Sequence, residues 1–460
     1  MKFLLAMLLS LVALPVPASP VLPASSMPAV DRYVAERMAD QLIPGLALVV
    51  IRDGKVVHRR GFGELDTEQP IIIGSLSKAI TATAVMTLVE DGRIELDAPM
   101  QRYLPELRFD DPDMRAVTVR HLLNQTSGIP AEAPRAEGHD ATLAAHAEAL
   151  QGVRLVATPG ERHIYSSPNY QLLGRIVEIV SGQSFGAYVQ ARILDPLQMT
   201  ASSLTGAENA VAGHNIWWGV PGPSTYRWEP GRLPTASIVA SADDLGRFVL
   251  SQLGEGPQIL SAESLETLHR GVAKTDTFSY AMGWREGTTA GIPSLWHGGA
   301  LPSYRGAVVM LPLSRSGVVV LTNMSTMFGD HTREIAAGVV ALMEQRPLPE
   351  RARPLRVVYI AIAAGSLLLI LLGVRALVRA VRRPGGGNRW KVIAFDVLLP
   401  VAAIVAVPLF LHLPYVAMWE GAPDITLTVA VAVLLGFVTA WIKLSRKRPA
   451  SDPGVVPGTN

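Results

Sequence analysis

Cysteine is absent from this chain of 460 residues. Disulfides, a thiol nucleophile and a thiolate metal site are therefore excluded, and packing alone must stabilise any exported domain. The ten histidines include no H-E-x-x-H motif, the spacing typical of zinc hydrolases. We expect neither a metal nor any other cofactor.

Acidic residues are absent from two basic segments near the C-terminus. Residues 375–391 hold six Lys or Arg and residues 443–448 hold four, and neither segment contains Asp or Glu. Without these ten residues the formal net charge of +2 would be negative. Both segments flank long apolar runs, which is typical of membrane proteins and not of a groove for nucleic acid. We expect no nucleic-acid partner.

Three apolar runs, at about 357–374, 392–413 and 425–442, are each long enough to cross a bilayer as a helix. The connection after the first run and the tail after the third are basic, and positive loops stay cytoplasmic. We therefore predict a multi-pass protein of the inner membrane with a cytoplasmic C-terminus. Asp396, inside the second run, is predicted to pair with Lys391 near the membrane face; a functional acid within the membrane is the alternative. Aromatic residues predicted at the two interfaces are Trp390 and Trp441 (inner) and Tyr415 and Trp419 (outer).

The N-terminus, "MKFLLAMLLSLVALPVPASP", has one lysine, a short apolar run and then small residues. This pattern predicts a secretory signal cleaved after Ala18; an uncleaved anchor is the alternative, although the run is short for a span. The signal independently puts the region before the first span outside, in the periplasm. The predicted regions are a signal peptide (1–18), a folded domain (27–345), a linker (346–356), three spans (357–448) and a cytoplasmic tail (449–460).

The folded domain has strand signals at both ends and helical signals between them. Asp53-Gly54 lies between two β-rich runs, a strong hairpin signal. "SLWHGG", "YRGAVVMLP" and "GVVVLTN" read as three later strands, and a closing helix is predicted at about 331–344. The expected fold class is α+β: one antiparallel sheet built from both termini, with a helical insertion from 75 to about 270.

Ser75 and Lys78 form an S-x-x-K pair at the predicted start of a helix. The chain has only seven lysines, and Lys78 lies in an otherwise apolar run. The apolar residues Ile80, Ala84 and Leu88 recur at helical spacing, which predicts one buried face on this helix. Residues i and i+3 of a helix are neighbours, so the Lys78 amine can reach the Ser75 hydroxyl. Burial and the helix dipole both lower a lysine pKa there, which an amine acting as a base requires. A serine N-cap followed by a solvated lysine is the alternative from this motif alone.

Three further stretches follow in order: "VTVRHLLNQTSGIP" (117–130), "IYSSPNYQLLGRIVEIVSG" (164–182) and "WHGGALPSYRG" (296–306). With G-S-x-S-K they make residues 27–345 resemble the serine β-lactamase-related hydrolases. This family includes class C β-lactamases, D-alanyl-D-alanine peptidases, D-aminopeptidases and esterases. The resemblance implies the β-lactamase/transpeptidase-like fold, with Ser75 as nucleophile and Lys78 and Tyr165 as a linked pair in proton transfer.

The same resemblance implies the substrate-binding residues. His297, Gly298 and Gly299 stand where β-lactamases have Lys-Thr-Gly, on a strand expected at the sheet edge. His297 would meet a substrate carboxylate when protonated, less reliably than lysine. Ser167 replaces the family's asparagine two residues after the tyrosine, which concerns the substrate and not the reaction. The backbone N–H groups of Ser75 and Ala300 would form the oxyanion hole.

A signal peptide, an S-x-x-K domain and three C-terminal spans resemble the colibactin-type prodrug-activating peptidases, which remove an N-acyl-D-asparagine cap in the periplasm. The leading hypothesis is therefore a membrane-anchored serine hydrolase that cleaves amides of small peptides or acyl-D-amino acids. Alternatives on the same site are a cell-wall D,D-carboxypeptidase, a β-lactamase or an esterase. A non-catalytic penicillin-binding receptor is a third reading, which the short inner loops disfavour.

Overall fold

A computed structural model describes residues 27–136, 138–224, 226–382, 389–398, 402, 418–419 and 421–445. The predicted signal peptide and cytoplasmic tail lie outside these residues. The chain divides into two compact units. Of the described residues, the first unit comprises those up to Asn215 and Pro221–Pro354; the second comprises Ile216–Val220 and those from Leu355 onward.

The first unit is built on an eight-stranded antiparallel sheet. Its strand order is β2-β1-β12-β11-β10-β9-β8-β7, so the first and last strands of the unit are neighbours. The predicted sheet from both termini is confirmed. The strands are β1 (Gly45–Arg52), β2 (Lys55–Gly63), β3 (Ile71–Ile72), β4 (His214–Trp217), β5 (Val220–Pro223), β6 (Val239–Ala240), β7 (Ala273–Lys274), β8 (Ser279–Tyr280), β9 (Arg285–Thr289), β10 (Ile292–Ala300), β11 (Arg305–Leu311) and β12 (Ser316–Thr322).

Helices cover both faces of this sheet. All six residues of 46–51 are fully buried, as expected for a central strand covered on both sides. The helices of the first unit are α1 (Met27–Asp40), α2 (Ser77–Glu90), α3 (Val119–Leu123), α4 (Leu143–Glu148), α5 (Ser167–Ser181), α6 (Phe185–Val189), α7 (Ala242–Gln252), α8 (Ala262–His269) and α9 (His331–Met343). Helices α1 and α9 pack together, and Arg37 of α1 pairs with Glu334 of α9 at 2.5 Å. Helix α7 packs on β1 and β12.

Two local predictions on the β1–β2 hairpin and on α2 have different outcomes. The two-residue turn has Asp53 at φ +50° and Gly54 at φ +72°, the left-handed pair that the hairpin signal predicts. Helix α2, in contrast, is buried on all sides from Ser77 to Leu88, where the sequence predicted one buried face. Its threonines make this possible, because hydroxyls such as that of Thr83 donate back to carbonyls of the preceding turn.

Among its described residues, the second unit contains two helices that are long and apolar enough to cross a membrane by length and composition: α10 (Leu355–Arg382) and α12 (Pro423–Ser445). A short helix, α11 (Arg389–Val392), lies between them in sequence. The predicted middle span, at 392–413, falls largely outside the described residues. The described partner of Asp396 is Lys443 at 2.6 Å, whereas the side chain of the predicted partner, Lys391, lies outside the described residues.

Candidate active site

Ser75 lies in a single 3-10 turn, Gly74–Leu76, that leads directly into α2. Gly74 has φ +57°, and a Cβ built there would lie 2.8 Å from the backbone nitrogen of Ala300. Glycine is needed at this position for both reasons, since a side chain would be strained and would separate the turn from the strand. The turn therefore brings Ser75 against the end of β10.

Lys78 lies one helical turn further along, with no exposed surface. Its Nζ donates to Ser75 Oγ at 3.1 Å and to the backbone carbonyl of Thr235 at 2.9 Å. Burial lowers the pKa of Lys78 below its ordinary value, the Tyr165 phenol opposes this shift, and nearby arginines reinforce it. A lowered pKa is what a lysine acting as a base needs.

Tyr165 completes the group. Lys78 Nζ lies 5.0 Å from the centroid of its ring, and the phenol interacts with the Ser75 hydroxyl and the Lys78 amine. Burial raises the pKa of Tyr165, but the Lys78 charge, the Ser75 hydroxyl and Arg285 outweigh burial, so the pKa lies below its ordinary value. The structure thus brings the three predicted catalytic side chains into one cluster.

The "QTSG" stretch holds the Tyr165 segment in place. Gln125 Oε1 accepts from Ser166 N at 2.9 Å and from Asn169 Nδ2 at 2.7 Å, and Ser127 Oγ donates to Asn169 Oδ1 at 2.6 Å. All these residues are buried. These hydrogen bonds tie the stretch to the start of α5. Nothing in the sequence pattern marked Asn169 as the partner of this loop.

The strand that carries the third motif is not an edge strand, contrary to our prediction. Strand β10 pairs with β11 over residues 295–300 and with β9 over residues 292–296. Its pairing with β9 ends at Trp296, so the segment His297–Ala300 runs past the end of its neighbour. The side of β10 that faces β9 is therefore left for an extended substrate to pair with at residues 297–300, beside Ser75. The backbone nitrogen of Ala300 lies beside Gly74. The role of its N–H in an oxyanion hole stays a prediction.

The two glycines of the motif face different surroundings. A Cβ at Gly299 would lie 2.0 Å from the carbonyl oxygen of Ile73, whereas a Cβ at Gly298 would find its nearest atoms at 3.7 Å. The missing side chain of Gly299 therefore serves the packing of β10 against the nucleophile turn. At Gly298, in contrast, a Cβ would make only ordinary van der Waals contacts.

His297 is fully buried and faces the protein. Its Nδ1 lies 2.8 Å from the carbonyl oxygen of Gly298 and its Nε2 lies 3.2 Å from the Tyr280 hydroxyl. Since a carbonyl only accepts, we assign the proton to Nδ1, and Nε2 accepts from Tyr280. Burial lowers the pKa of His297 well below its ordinary value, and the charges of Arg285 and Lys78 add to this. The ring is therefore neutral, unlike the cation expected for a substrate carboxylate.

Arg285, which no sequence motif marks, supplies a permanent positive charge beside Tyr165. Its guanidinium carbon lies 5.5 Å from the centroid of the Tyr165 ring and 4.8 Å from that of Trp296. The charge acts on Lys78, Tyr165 and His297. The register of β9 against β10 sets Arg285 opposite Trp296. No local motif predicts this pairing, so only the structure reveals it.

Ser167, the departure from the family's motif, is the first residue of α5 and is partly exposed. It lies two residues from Tyr165 and next to Ser166, whose hydroxyl donates to the carbonyl of Pro130 at 3.0 Å. Its position on the same segment keeps it a candidate for substrate contact.

Comparison with known proteins identifies the family. The model of the beta-lactamase family matches residues 30–342, more than half of the chain. The chain belongs to the beta-lactamase family, whose members with this fold are serine hydrolases.

Individual similar proteins agree with this assignment. Penicillin-binding protein 4 of Amycolatopsis lactamdurans is 30% identical over 364 residues, which cover 72% of this chain and 95% of that protein. Protein flp of Staphylococcus aureus (strain N315) is 26% identical over 317 residues, which cover 65% of this chain and 63% of flp, so the match spans less than two thirds of that relative. The octameric penicillin-binding protein homologue from Pyrococcus abyssi has a TM-score of 0.64 at 28% identity, over 71% of this chain and 80% of that chain.

Proposed function

We propose that this protein is a serine hydrolase that forms an acyl-enzyme on Ser75. The observation that carries the proposal is the environment of Lys78. Its amine is fully buried, contacts the Ser75 hydroxyl at 3.1 Å, and forms no ion pair with a carboxylate among the described residues. A buried lysine with no carboxylate partner is costly to charge, so burial favours the neutral amine, which is a base. The Tyr165 phenol shares the proton with it.

In the acylation step, Ser75 Oγ attacks the substrate carbonyl carbon while its proton passes to the Lys78–Tyr165 pair. The tetrahedral oxyanion is held by the backbone N–H groups of Ser75 and Ala300, each such donor being worth about 3 kcal/mol. The pair then gives the proton to the leaving amine, the C–N bond breaks, and the acyl group stays on Ser75. The pair shares the base and acid roles.

Deacylation repeats these steps with water. The Lys78–Tyr165 pair takes a proton from water as its oxygen attacks the ester carbonyl, and the proton returns to Ser75 Oγ as the ester bond breaks. The products are a carboxylic acid and the free enzyme. Both half-reactions use the same oxyanion hole.

The proposed substrate is an amide next to a D-amino acid, as in N-acyl-D-amino-acid prodrugs or small peptides. The family's D-alanyl-D-alanine peptidases and the names of the penicillin-binding relatives support this class. The free side of His297–Ala300 suits an extended acyl chain. Ser167, in place of the family's asparagine, offers a shorter hydroxyl to the substrate.

A second candidate, a D,D-carboxypeptidase, is favoured by Arg285. A permanent guanidinium beside Tyr165 suits a substrate with a free carboxylate near the scissile bond. An N-acyl-D-asparaginyl amide has no such carboxylate. The two candidates therefore differ in the charge next to the bond that is cleaved.

We also propose that the protein is anchored in the inner membrane with the hydrolase domain in the periplasm. Helices α10 and α12 expose apolar side chains along their length, for example Ile360 (62% exposed) and Leu434 (62%). The sequence predicts a third span between them, and the charge of the loops predicts the orientation. The hydrolase domain would then lie on the side that the signal peptide predicts.

The test uses detergent-solubilised full-length protein and its Ser75→Ala variant. Substrates are an N-acyl-D-asparaginyl amide, an N-acyl-D-alanyl-D-alanine and an N-acyl-L-asparaginyl amide as the stereochemical control. We expect cleavage of a D-substrate that is lost in the variant. Covalent labelling of Ser75 by a fluorophosphonate or a β-lactam, with no turnover of any substrate, would instead identify a penicillin-binding receptor. Cleavage that persists in Ser75→Ala would overturn the proposal.

A further inference from the structure

The hairpin formed by β4 and β5 has an unusual tip. The two turn residues, Trp218 and Gly219, have φ +47° and φ +90°. A left-handed backbone is common for glycine but uncommon for a bulky residue such as tryptophan. Moreover, Ile216–Val220 belongs to the same unit as the described residues from Leu355 onward, although the sequence on both sides belongs to the hydrolase unit. The contacts of the tip explain this.

Two contacts join the tip to the beginning of α12. Trp218 N donates to Asp424 Oδ2 at 3.0 Å, and the ring of Trp217 lies edge-on to that of Trp419 at 6.2 Å. Asp424 is fully buried, and its other carboxylate oxygen accepts from Ile425 N at 2.9 Å. A charge-assisted bond from a backbone N–H gives this contact a strength that apolar packing alone would lack.

A third contact joins the tip to α10. A Cβ built on Gly219 would lie 3.3 Å from Cβ of Tyr359, and Tyr359 is almost fully buried. A side chain here would be strained by the positive φ and crowded by Tyr359. The tip thus lies between the N-terminal ends of α10 and α12, and its contact with Tyr359 requires glycine at position 219.

The chemistry at the surface of the tip is that of a membrane interface. Val220 is 66% exposed and Trp419 is 50% exposed, although both are apolar. Tryptophan concentrates where lipid headgroups meet hydrocarbon, because its ring is apolar and its N–H is polar. Three of the chain's eight tryptophans meet at this point.

The other end of α12 marks the opposite interface. Trp441 is 74% exposed there, and Lys443 pairs with Asp396 at 2.6 Å. A helix of 23 residues is about 35 Å long, slightly more than the hydrocarbon thickness of a bilayer. The tip at one end and the ion pair at the other are thus separated by about one membrane.

We propose that the hairpin tip Ile216–Val220 is a lipid-binding element, seated in the interfacial layer of the outer leaflet beside the first turn of α12. The inference rests on the proposed membrane anchoring and adds to it an additional contact, made by a loop of the hydrolase sequence. The occupant is the phospholipid interface: apolar side chains enter the acyl boundary while Asp424 fixes the backbone of the tip.

The experiment uses the absence of cysteine in this chain. In Val220→Cys, an environment-sensitive fluorophore is attached to the only thiol, and full-length protein is reconstituted in vesicles of phosphatidylethanolamine and phosphatidylglycerol. Spin-labelled phospholipids carry the quencher close to the headgroup or deep in the acyl chain. We expect a blue-shifted emission that is quenched more by the shallow label than by the deep one.

Two matched variants make the result decisive. Val272, in the hydrolase unit, is similarly exposed (53%), and a fluorophore attached to Val272→Cys should not be quenched. Leu434→Cys, in the middle of α12, should be quenched by the deep label. Quenching at 434 without quenching at 220 overturns the inference and leaves the anchor intact. No quenching at either position overturns both, and equal quenching at 220 and 272 also overturns the inference.

A further variant tests the role of Asp424. Asp424→Ala removes the acceptor for Trp218 N and should reduce the shallow quenching at position 220 while leaving the deep quenching at position 434 unchanged. Labelling of Ser75 by a fluorophosphonate confirms that each variant is folded. Unchanged quenching at 220 would show that Asp424 does not hold the tip, and would overturn that part of the proposal.

Discussion

Lys78 Nζ donates to the backbone carbonyl of Thr235 at 2.9 Å, across 157 residues of sequence. A carbonyl only accepts, so this contact keeps an N–H of the amine directed away from Ser75. When the amine is neutral, its lone pair is free to face the Ser75 hydroxyl. In the mechanism that we propose, the carbonyl of Thr235 therefore orients the amine that acts as the base.

Replacing Lys78 by methionine should separate activity from stability. We expect acylation of Ser75 to fall by about 10² to 10⁴-fold, the usual contribution of a general base. The free energy of unfolding should stay the same or rise, because the variant no longer buries an ionisable group. The measurements are the rate of fluorophosphonate labelling and the denaturant midpoint. The exposed Lys274→Met is the control; equal labelling rates for the two variants would contradict a base role.

Tyr165→Phe keeps the aromatic ring and removes only the hydroxyl. Turnover should fall by about 10²-fold or more, because the proton pathway loses one of its two groups. Tyr188→Phe is a matched control: its hydroxyl is buried and lies 2.8 Å from Thr87 Oγ1, away from Ser75. That variant should lose about 1 kcal/mol of stability and keep its turnover number. Similar turnover in both variants would remove Tyr165 from the mechanism.

Arg285→Gln should shift the pH dependence of acylation. The reaction needs a neutral Lys78, so its rate rises with pH through the pKa of that amine, which lies below the ordinary lysine value. Arg285 lowers the pKa of both Lys78 and Tyr165, so its removal raises both and moves the rise in rate to higher pH. Arg333→Gln loses a guanidinium that also lies over Trp296, at 4.4 Å, and serves as control. An unchanged profile in Arg285→Gln would show that its charge does not reach the base.

The adjacent glycines of β10 should respond differently to alanine. Gly299→Ala forces a Cβ to within 2.0 Å of the Ile73 carbonyl oxygen, so we expect a lower melting temperature and loss of Ser75 labelling. In Gly298→Ala the new Cβ makes only ordinary contacts at 3.7 Å, so the variant should fold normally, with any effect confined to KM. Thermal melts and labelling of the two purified variants provide the measurement. A stable, active Gly299→Ala would contradict the described contact between β10 and the nucleophile turn.

Stability should fall in mild acid because of His269. Burial lowers its pKa to about 4, whereas an unfolded histidine titrates near 6.5. Between these values the unfolded state binds a proton that the folded state does not, so the stabilisation present above pH 6.5 is lost as pH falls toward 4. The loss is about 3 kcal/mol when complete. Melting temperatures at pH 7 and pH 5 should differ less in His269→Phe than in the parent protein. The control is His139→Phe, which replaces an exposed histidine. An equal pH dependence of the melting temperature in all three proteins would contradict this prediction.

The elements and site residues that the sequence predicted correctly are those that depend on local sequence patterns. The β1–β2 hairpin follows from Asp53-Gly54, and β10, β11 and β12 follow from short runs of β-branched residues. The cluster of Ser75 and Lys78 follows from helix spacing, and Tyr165 from a family motif. In each case the residues that decide the structure lie within a few positions of one another.

Features that depend on pairing between distant segments were not predictable in this way. Strands β7 and β8 have two residues each, too few for a periodic signal. The interior position of β10 follows from its register with β9, and this register also brings Arg285 to Tyr165. The acceptor for Lys78 is a backbone carbonyl, which every residue has, so no residue type points to Thr235.

The strand order has a consequence for how the protein is made. Strand β1 pairs with β12, and Ser75 meets the end of β10, although more than 200 residues separate the partners in both cases. In the export that we propose, the chain crosses the membrane N-terminus first, so the nucleophile emerges long before the strand that completes its oxyanion hole. Pairings of this kind form late in folding. The newly exported chain would therefore be inactive until almost all of its hydrolase region had crossed the membrane. A partly folded chain would not hydrolyse substrates in the periplasm.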